Sequence, residues 1–252
     1  MISDFEYLNS PEIRQKFEAT NNLFVTEGRK IFDRSIELGY EPRAILTTSE
    51  WLADINPDIT SRFHLHVYSP AEISEIAGFP VHRGLIATFN RRPKQSVADV
   101  LSLDGPLVLL EGLTDLENVG TIFRTAAALG IAGVLLDATA PDPLFRRCLK
   151  ASMGATLQLP FARYGKTSEL LELKGNRRLI GLTPDAETTV GSKLAGGNEI
   201  LGFGSEGSGL SVELLAACDE KLSIPMSNDV SSLNVAAAAA ISIWEFQQRV
   251  RS

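Results

Sequence analysis

Cysteine is scarce in this sequence. The two present, Cys148 and Cys218, lie far apart and form neither a CxxC pair nor a disulfide framework. That excludes a small disulfide-stapled scaffold and points to a reducing compartment with two buried thiols. No metal is expected. Long apolar runs are missing too: the longest, "VAAAAAISIW", is about half the ~20 residues needed to span a bilayer. The N-terminal "MISDFEYLNSPEIRQKFEA" mixes acids and bases without an apolar stretch, so neither a secretory signal nor a membrane partner is expected, and the cytoplasm is the expected location. An excess of positive charge is also lacking, with 24 basic against 31 acidic residues and a net charge of −7. Indiscriminate coating of nucleic acid needs clustered Lys and Arg and is excluded; any polyanion must be met by a local patch. Finally, there is no GK[ST], which rules out a phosphate-binding P-loop.

What is present is ordinary for a soluble domain, 44% apolar and 22% charged over 252 residues. The first part alternates β-rich and helical runs: "LFVTEG", "RKIFDRSIELG", "AILTT", "HLHVYS", "PAEISEIAG" and "GLIATF". A polar break at 90–96, "NRRPKQS", reads as a linker. Alternation then resumes with "PLVLLEG" (strand), "VGTIFRTAAALG" (helix), "VLLD" (strand), "PLFRRCLKAS" (helix), "ATLQLPFA", "RLIGLT" and "EILGFG" (strands), "SVELLAAC" (helix), "KLSIPM" (strand) and a closing helix from about Ser232. Runs such as "LVLL" lack inside–outside alternation, as strands buried on both faces of a parallel sheet do. The expected architecture is α/β, with a domain over 1–95 and a second over 96–252.

Three stretches in the second half carry chemistry. "LGFGSEGSGLS" (201–211) contains Gly202, Gly204 and Gly207 in the spacing of a dinucleotide fingerprint. Glu206 lies inside the turn where a pyrophosphate would approach backbone N–H groups, and "KLSIPM" ends in Pro225 and Met226 rather than a ribose-binding acid, so a dinucleotide is disfavoured. In "LTDLENVGTIFRTAAALG", Asn118 reads as the N-cap of a helix that Gly130 terminates. Val119, Ile122, Ala126 and Leu129 fall on its buried face, with Asn118, Thr121 and Arg124 on the other. Asn118 and Arg124 are roughly 9 Å apart along the axis, and the lean of helical side chains toward the N-terminus lets a long arginine close most of that gap. In "IPMSNDVSSLNVAAAAAISIWEF", Ser231 or Ser232 reads as the cap of the last helix, with Ser232 and Asn234 beside its positive end. Taken singly, the second and third stretches are also explained by ordinary capping.

Taken in order, "NVGTIFRTAAALGI", "GFGSEGSGLS" and "IPMSNDVSSLNVAAAAAI" resemble the three signature motifs of the SpoU (TrmH) family of RNA ribose 2′-O-methyltransferases, in the SPOUT superfamily. The likeness covers about 105–250 and includes "KASMGA" and "LQLPFA". The first half, with "FVTEGRKIFDRSIELGYEPRAILTT" and "VHRGLIATF", is similar to the α/β RNA-substrate-binding domain that many members carry. Two positions depart from the family pattern: Asn228 replaces a common glycine and Ala236 a common serine.

The resemblance implies a parallel sheet closed by a deep trefoil knot, which general topology rules would exclude. It implies S-adenosyl-L-methionine as cofactor, bent between the loops of the second and third motifs. Leu182, Thr183, Gly204, Ser205, Gly207, Gly209, Ile224, Met226, Ser232 and Leu233 are the expected cofactor contacts. Arg124 is the expected central catalytic residue, acting on an RNA phosphate and the 2′-hydroxyl, with Asn118, Glu206, Ser232 and Asn234 completing the site. Glu206 is either an exposed loop acid or takes one of two roles, pairing with Arg124 or orienting Asn118. Candidate RNA contacts are Arg29, Lys30, Arg91 and Arg92 with the rest of "RRPK", Arg146, Arg147 and Lys150. The implied partners are ribosomal RNA, with transfer RNA as the alternative, and a second copy of the chain. A non-catalytic RNA-binding relative is the other reading. Ile241, Trp244 and Phe246 belong either to the dimer surface or to the core, with core expected for at least two of them.

Overall fold

The computed structural model describes residues 4–5, 7–8, 11–63, 65–81, 84–191, 197–227 and 232–250, leaving aside the side chains of 11–15 and 249–250. The chain folds as two compact units, Met1–Pro93 with Leu144–Leu157, and Lys94–Pro143 with Gln158–Ser252.

In the first unit, β1 (Leu23–Glu27), β2 (Pro42–Thr47), β3 (Leu65–Val67) and β4 (Leu85–Asn90) form a sheet in the order β1-β4-β2-β3. β4 runs antiparallel to both its neighbours, and β3 is parallel to β2. The period of two sends Leu23 and Val25 into a cluster with Leu46, Ile73 and Ile86. Phe24 goes to the opposite face and stacks on its cross-strand partner Phe89 at 5.3 Å. Helices α1 (Pro11–Thr20), α2 (Arg29–Glu37), α3 (Ser49–Leu52), α4 (Pro57–Arg62) and α5 (Pro70–Ala77) surround this sheet in sequence. α5 starts at a Ser69–Glu72 capping box and ends at Gly78 with φ 70°.

Residues 144–157 complete this unit with the helix α8 (Arg146–Ala151; α6 and α7 lie in the second unit). Arg146 pairs with Glu27 at 2.8 Å and lies 3.7 Å over the Phe79 ring. The sequence suggests one strand over 155–162, and the structure corrects this. Met153 and Gly154 both take positive φ, 52° and 79°, and the chain closes into a 3-10 turn at Ala155–Leu157. The Leu157 carbonyl accepts from the Tyr40 hydroxyl at 3.0 Å, and β7 begins only at Phe161.

The second unit is a six-stranded sheet: β5 (Leu107–Glu111), β6 (Gly133–Leu136), β7 (Phe161–Arg163), β8 (Leu179–Leu182), β9 (Ile200–Gly204) and β10 (Glu220–Leu222). Its order is β10-β8-β9-β5-β6-β7, and every pair is parallel. Leu107 to Leu110 are wholly buried, as a strand covered on both faces requires. Each such side chain contributes roughly 1.5–3 kcal/mol. The helices are α6 (Val97–Leu101), α7 (Leu116–Ala128), α9 (Thr167–Leu173), α10 (Val212–Ala217) and α11 (Val235–Val250), with α11 packed on α7. Because the strands run one way, the loops after β8, β9 and β10 leave from a common edge, where ligands of parallel sheets bind.

Helix starts and faces also differ from the expectation. α7 is capped by Asp115, whose Oδ1 accepts from the N–H groups of Glu117 and Asn118, both at 2.8 Å; Asn118 therefore sits in the first turn with its amide free to reach elsewhere. α11 is capped by Asn234, whose Oδ1 accepts from Ala236 N at 3.0 Å and Ala237 N at 3.3 Å. Ser232 is thus ahead of the helix, and Asn228 and Ser231 lie outside the described residues. Leu129 is half-buried rather than core, and Gly130 ends α7 as expected, with φ 80° and Ile131 N bonded to Ala126 O. On α11, Phe246 is buried, but Ile241 and Trp244 are 43% and 52% exposed. They fall on the helix face opposite Ala239, Ile243 and Phe246, so the expectation of core for two of the three is wrong.

Candidate active site

The site starts at the end of β9, where the chain folds back on itself. A Cβ on Gly204 would lie 2.0 Å from the Gly209 carbonyl carbon and 2.1 Å from Leu210 N, so only glycine fits. Ser205 O accepts from Gly209 N at 2.9 Å, and the Ser205 and Ser208 hydroxyls meet at 2.8 Å. Gly209 turns the chain at φ 66°. Gly207 faces open space. Beyond the loop, Glu111 at the end of β5 accepts from Ser211 N and Oγ at 2.7 and 2.8 Å and anchors the start of α10.

Between this loop, the end of β8, the segment after β10 and the start of α11 lies a cavity of about 410 Å³. All ten residues expected to hold a cofactor line it: Leu182, Thr183, Gly204, Ser205, Gly207, Gly209, Ile224, Met226, Ser232 and Leu233. The lining also includes residues the sequence did not single out, among them Pro184, Asp185, Phe203 and Leu210. Pro184 and Asp185 directly continue β8 in "GLTPD". Their position at the C-terminal end of a strand beside the glycine-rich one was the available signal.

At the rim, three elements meet on one carboxylate oxygen. Glu206 Oε1 accepts from Asn118 Nδ2 at 3.2 Å, Asn234 Nδ2 at 2.6 Å and Val235 N at 3.4 Å. The second N–H of Asn234 goes to Asn118 Oδ1 at 3.0 Å. Since a carboxylate only accepts, these bonds fix the orientation of both amides and leave one Asn118 N–H unspent. Of the two roles expected for Glu206, the structure shows the orientation of Asn118. Arg124, two turns along α7 from Asn118, is exposed and has no ion-pair partner among the described residues.

The family model described as the SpoU rRNA Methylase family matches residues 105–244, which contain all of these groups. The chain belongs to the SpoU rRNA methylase family. An uncharacterized tRNA/rRNA methyltransferase of Mycobacterium tuberculosis is 34% identical over 97% of this chain and 87% of its own length. The 23S rRNA (guanosine-2′-O-)-methyltransferase RlmB of Escherichia coli is 32% identical over 66% of this chain and 71% of its own. Among solved structures, an AdoMet-bound rRNA methyltransferase from Sinorhizobium meliloti shares the fold, with a TM-score of 0.85, 23% identity, and coverage of 100% of this chain and 95% of that one.

As a SpoU-family methyltransferase the chain uses S-adenosylmethionine, and the cavity fits that molecule. Its volume is within the ~300–1,000 Å³ of small-molecule sites. Its lining joins apolar side chains, such as Leu182, Phe203, Leu210 and Ile224, with hydroxyls of Thr183, Ser205 and Ser232. Among the described residues its charged lining members, Asp185 and Glu206, are both anionic, which suits a sulfonium cation and opposes a pyrophosphate. Among the described residues no group of His, Cys, Asp and Glu is arranged to hold a metal, and no helix is long and apolar enough to cross a membrane.

Seven of the eight basic candidates fall in the first unit, where the fold uses several of them, and Lys94 begins the second. Arg29 pairs with Asp33 at 3.0 Å and Asp54 at 3.4 Å. Arg91 Nε donates to Leu23 O at 2.6 Å, and Arg92 donates to Leu38 O while lying over Tyr40. Arg146 is held by Glu27 and Phe79. Lys30, Arg147 and Lys150 are exposed.

Proposed function

We propose that this methyltransferase acts on a ribose 2′-hydroxyl of structured RNA in the cytoplasm, and that the RNA is that of the large ribosomal subunit. The observation that carries the reading is the Glu206 junction, which fixes the amides of Asn118 and Asn234 beside the cavity, Asn118 lying on the helix that also presents Arg124, a guanidinium with no ion pair among the described residues. In its favour too, the relatives in Escherichia coli and Streptomyces laurentii are named as 23S rRNA 2′-O-methyltransferases.

When bound, S-adenosylmethionine supplies an electrophilic methyl on a positively charged sulfur. The chain's task is to hold a weak nucleophile in line and favour its developing charge. Asn118 and Asn234, held by Glu206, and the hydroxyl of Ser232 are the groups that position the 2′-hydroxyl. Arginine serves in proteins as a charge rather than as a base, so Arg124 is given no proton-accepting role. It therefore acts by charge, on the RNA phosphate and on the oxygen as it loses its proton to a neighbouring acceptor or water. Lys30, Arg147 and Lys150 are the exposed cations best suited to the RNA backbone.

The reading extends to assembly. Ile241 and Trp244 form an exposed apolar stripe on α11, suited to a second copy of the chain. The trefoil knot of the family belongs to the same reading, supported by membership and by the packing of α11 against α7 and β9.

The test is transfer from methyl-labelled S-adenosylmethionine to total RNA from cells lacking the protein, followed by digestion to nucleosides. Label in a 2′-O-methylated nucleoside is expected; label confined to a base would refute the reading. Mapping ribose methylation in those cells names the target, and loss at a transfer-RNA position alone would overturn the ribosomal assignment.

A further inference from the structure

The charges around the cavity are unevenly compensated. Glu206 spends one oxygen on three hydrogen bonds, one of them from the first N–H of α11, so its charge is partly met by amide donors and the positive end of a helix. Asp185, the other charged residue of the described lining, has no such support. It is exposed, its own N–H approaches Thr183 Oγ1 at 3.5 Å, and its carboxylate has neither a hydrogen bond nor an ion pair among the described residues. No lysine or arginine is part of that lining.

We infer that Asp185 is a specificity-determining residue that makes the cavity prefer the sulfonium donor over its thioether product. The inference rests on the cavity being the S-adenosylmethionine site. Donor and product share adenine, ribose and amino-acid groups and differ by one methyl and one positive charge. Attraction to the shared groups, the ammonium included, acts on both ligands alike, whereas a carboxylate at the cavity wall with no partner among the described residues adds attraction for the extra charge of the donor. The consequence is reduced product inhibition. Glu206 contributes less to this preference, because its charge is already engaged.

Calorimetric affinities for S-adenosylmethionine and S-adenosylhomocysteine, measured without RNA on the full chain, test this. Asp185→Asn should weaken the donor about threefold to tenfold, the scale of a one-charge interaction across a few ångströms of water. The product should stay within about twofold, and Asp185→Glu should restore the ratio. Equal weakening of both ligands would make Asp185 a grip on a shared hydroxyl or amine and overturn the inference, as would an unchanged ratio. Failure of the unsubstituted chain to bind either ligand would instead refute the site itself, and the inference with it.

Discussion

The two units use similar apolar strands for opposite ends. In the first, a mixed four-stranded sheet is sealed on both faces, and three of its cations are tied to the fold: Arg91 and Arg92 donate to backbone carbonyls, and Arg146 is held by a carboxylate and an aromatic ring. In the second, a parallel sheet closes its faces as completely, but its strand ends share one edge and carry glycine, serine, asparagine and acid. There the polar groups are joined to one another around a cavity instead of being absorbed into the core. A parallel sheet collects distant loops at one edge, so a site is assembled from residues far apart in the chain.

That contrast breaks most sharply at Arg124. Arg124→Ala should lower single-turnover methyl transfer about 10²- to 10³-fold, the scale of losing one preorganised charge partner. Arg124→Lys should keep a measurable part of the rate. Equal loss in both would replace a pure charge role with bidentate geometry. In the first unit an arginine substitution should act on folding instead. Arg146→Ala strands Glu27 and uncovers Phe79, and should cost about 2–4 kcal/mol in denaturant unfolding. Lys150→Ala, on the same helix but exposed, should stay within about 0.5 kcal/mol and reduce the salt slope of RNA binding by about 1.

The rim network offers a finer cut. Asn118→Ala and Glu206→Ala, alone and together, should show about 0.5–3 kcal/mol of coupling in transfer rate. Additive losses would mean that the carboxylate does not act through the amide. The smallest effect concerns Cys218, whose thiol is pushed up to about 11 chiefly by burial. A raised pKa means that the folded state keeps its proton after the unfolded chain has lost it. This contribution to stability is therefore complete below the ordinary thiol pKa and is lost as pH rises toward 11. Alkylation of the Cys218 peptide, followed by mass spectrometry, should rise steeply only above about pH 9.

Much of this was legible in the chain and some was not, for physical reasons. Strands such as "LVLL" and "EILGFG" and the stop at Gly130 follow from local pattern, and the lining of the cavity followed from resemblance to a family. The cap of α7 is not legible in the chain because Asp115 and Asn118 are both good caps three residues apart, and only the backbone decides between them. The partners of Glu206 lie 88 and 28 residues away, a pairing that no local rule contains. The place of Asp185 in the lining is not legible either, because a single acid after a strand carries no spacing. The exposure of Ile241 and Trp244 depends on which face α7 covers.

The central claim is that a tightly folded glycine loop shapes the pocket of the methyl donor. Calorimetry with S-adenosylmethionine on Gly204→Ala and Gly207→Ala tests it most directly. A Cβ at 204 would sit about 2.0 Å from backbone, so binding should vanish in that variant while Gly207→Ala binds within a few-fold of the unsubstituted chain. Undiminished affinity in Gly204→Ala, or equal loss in both, would contradict the account.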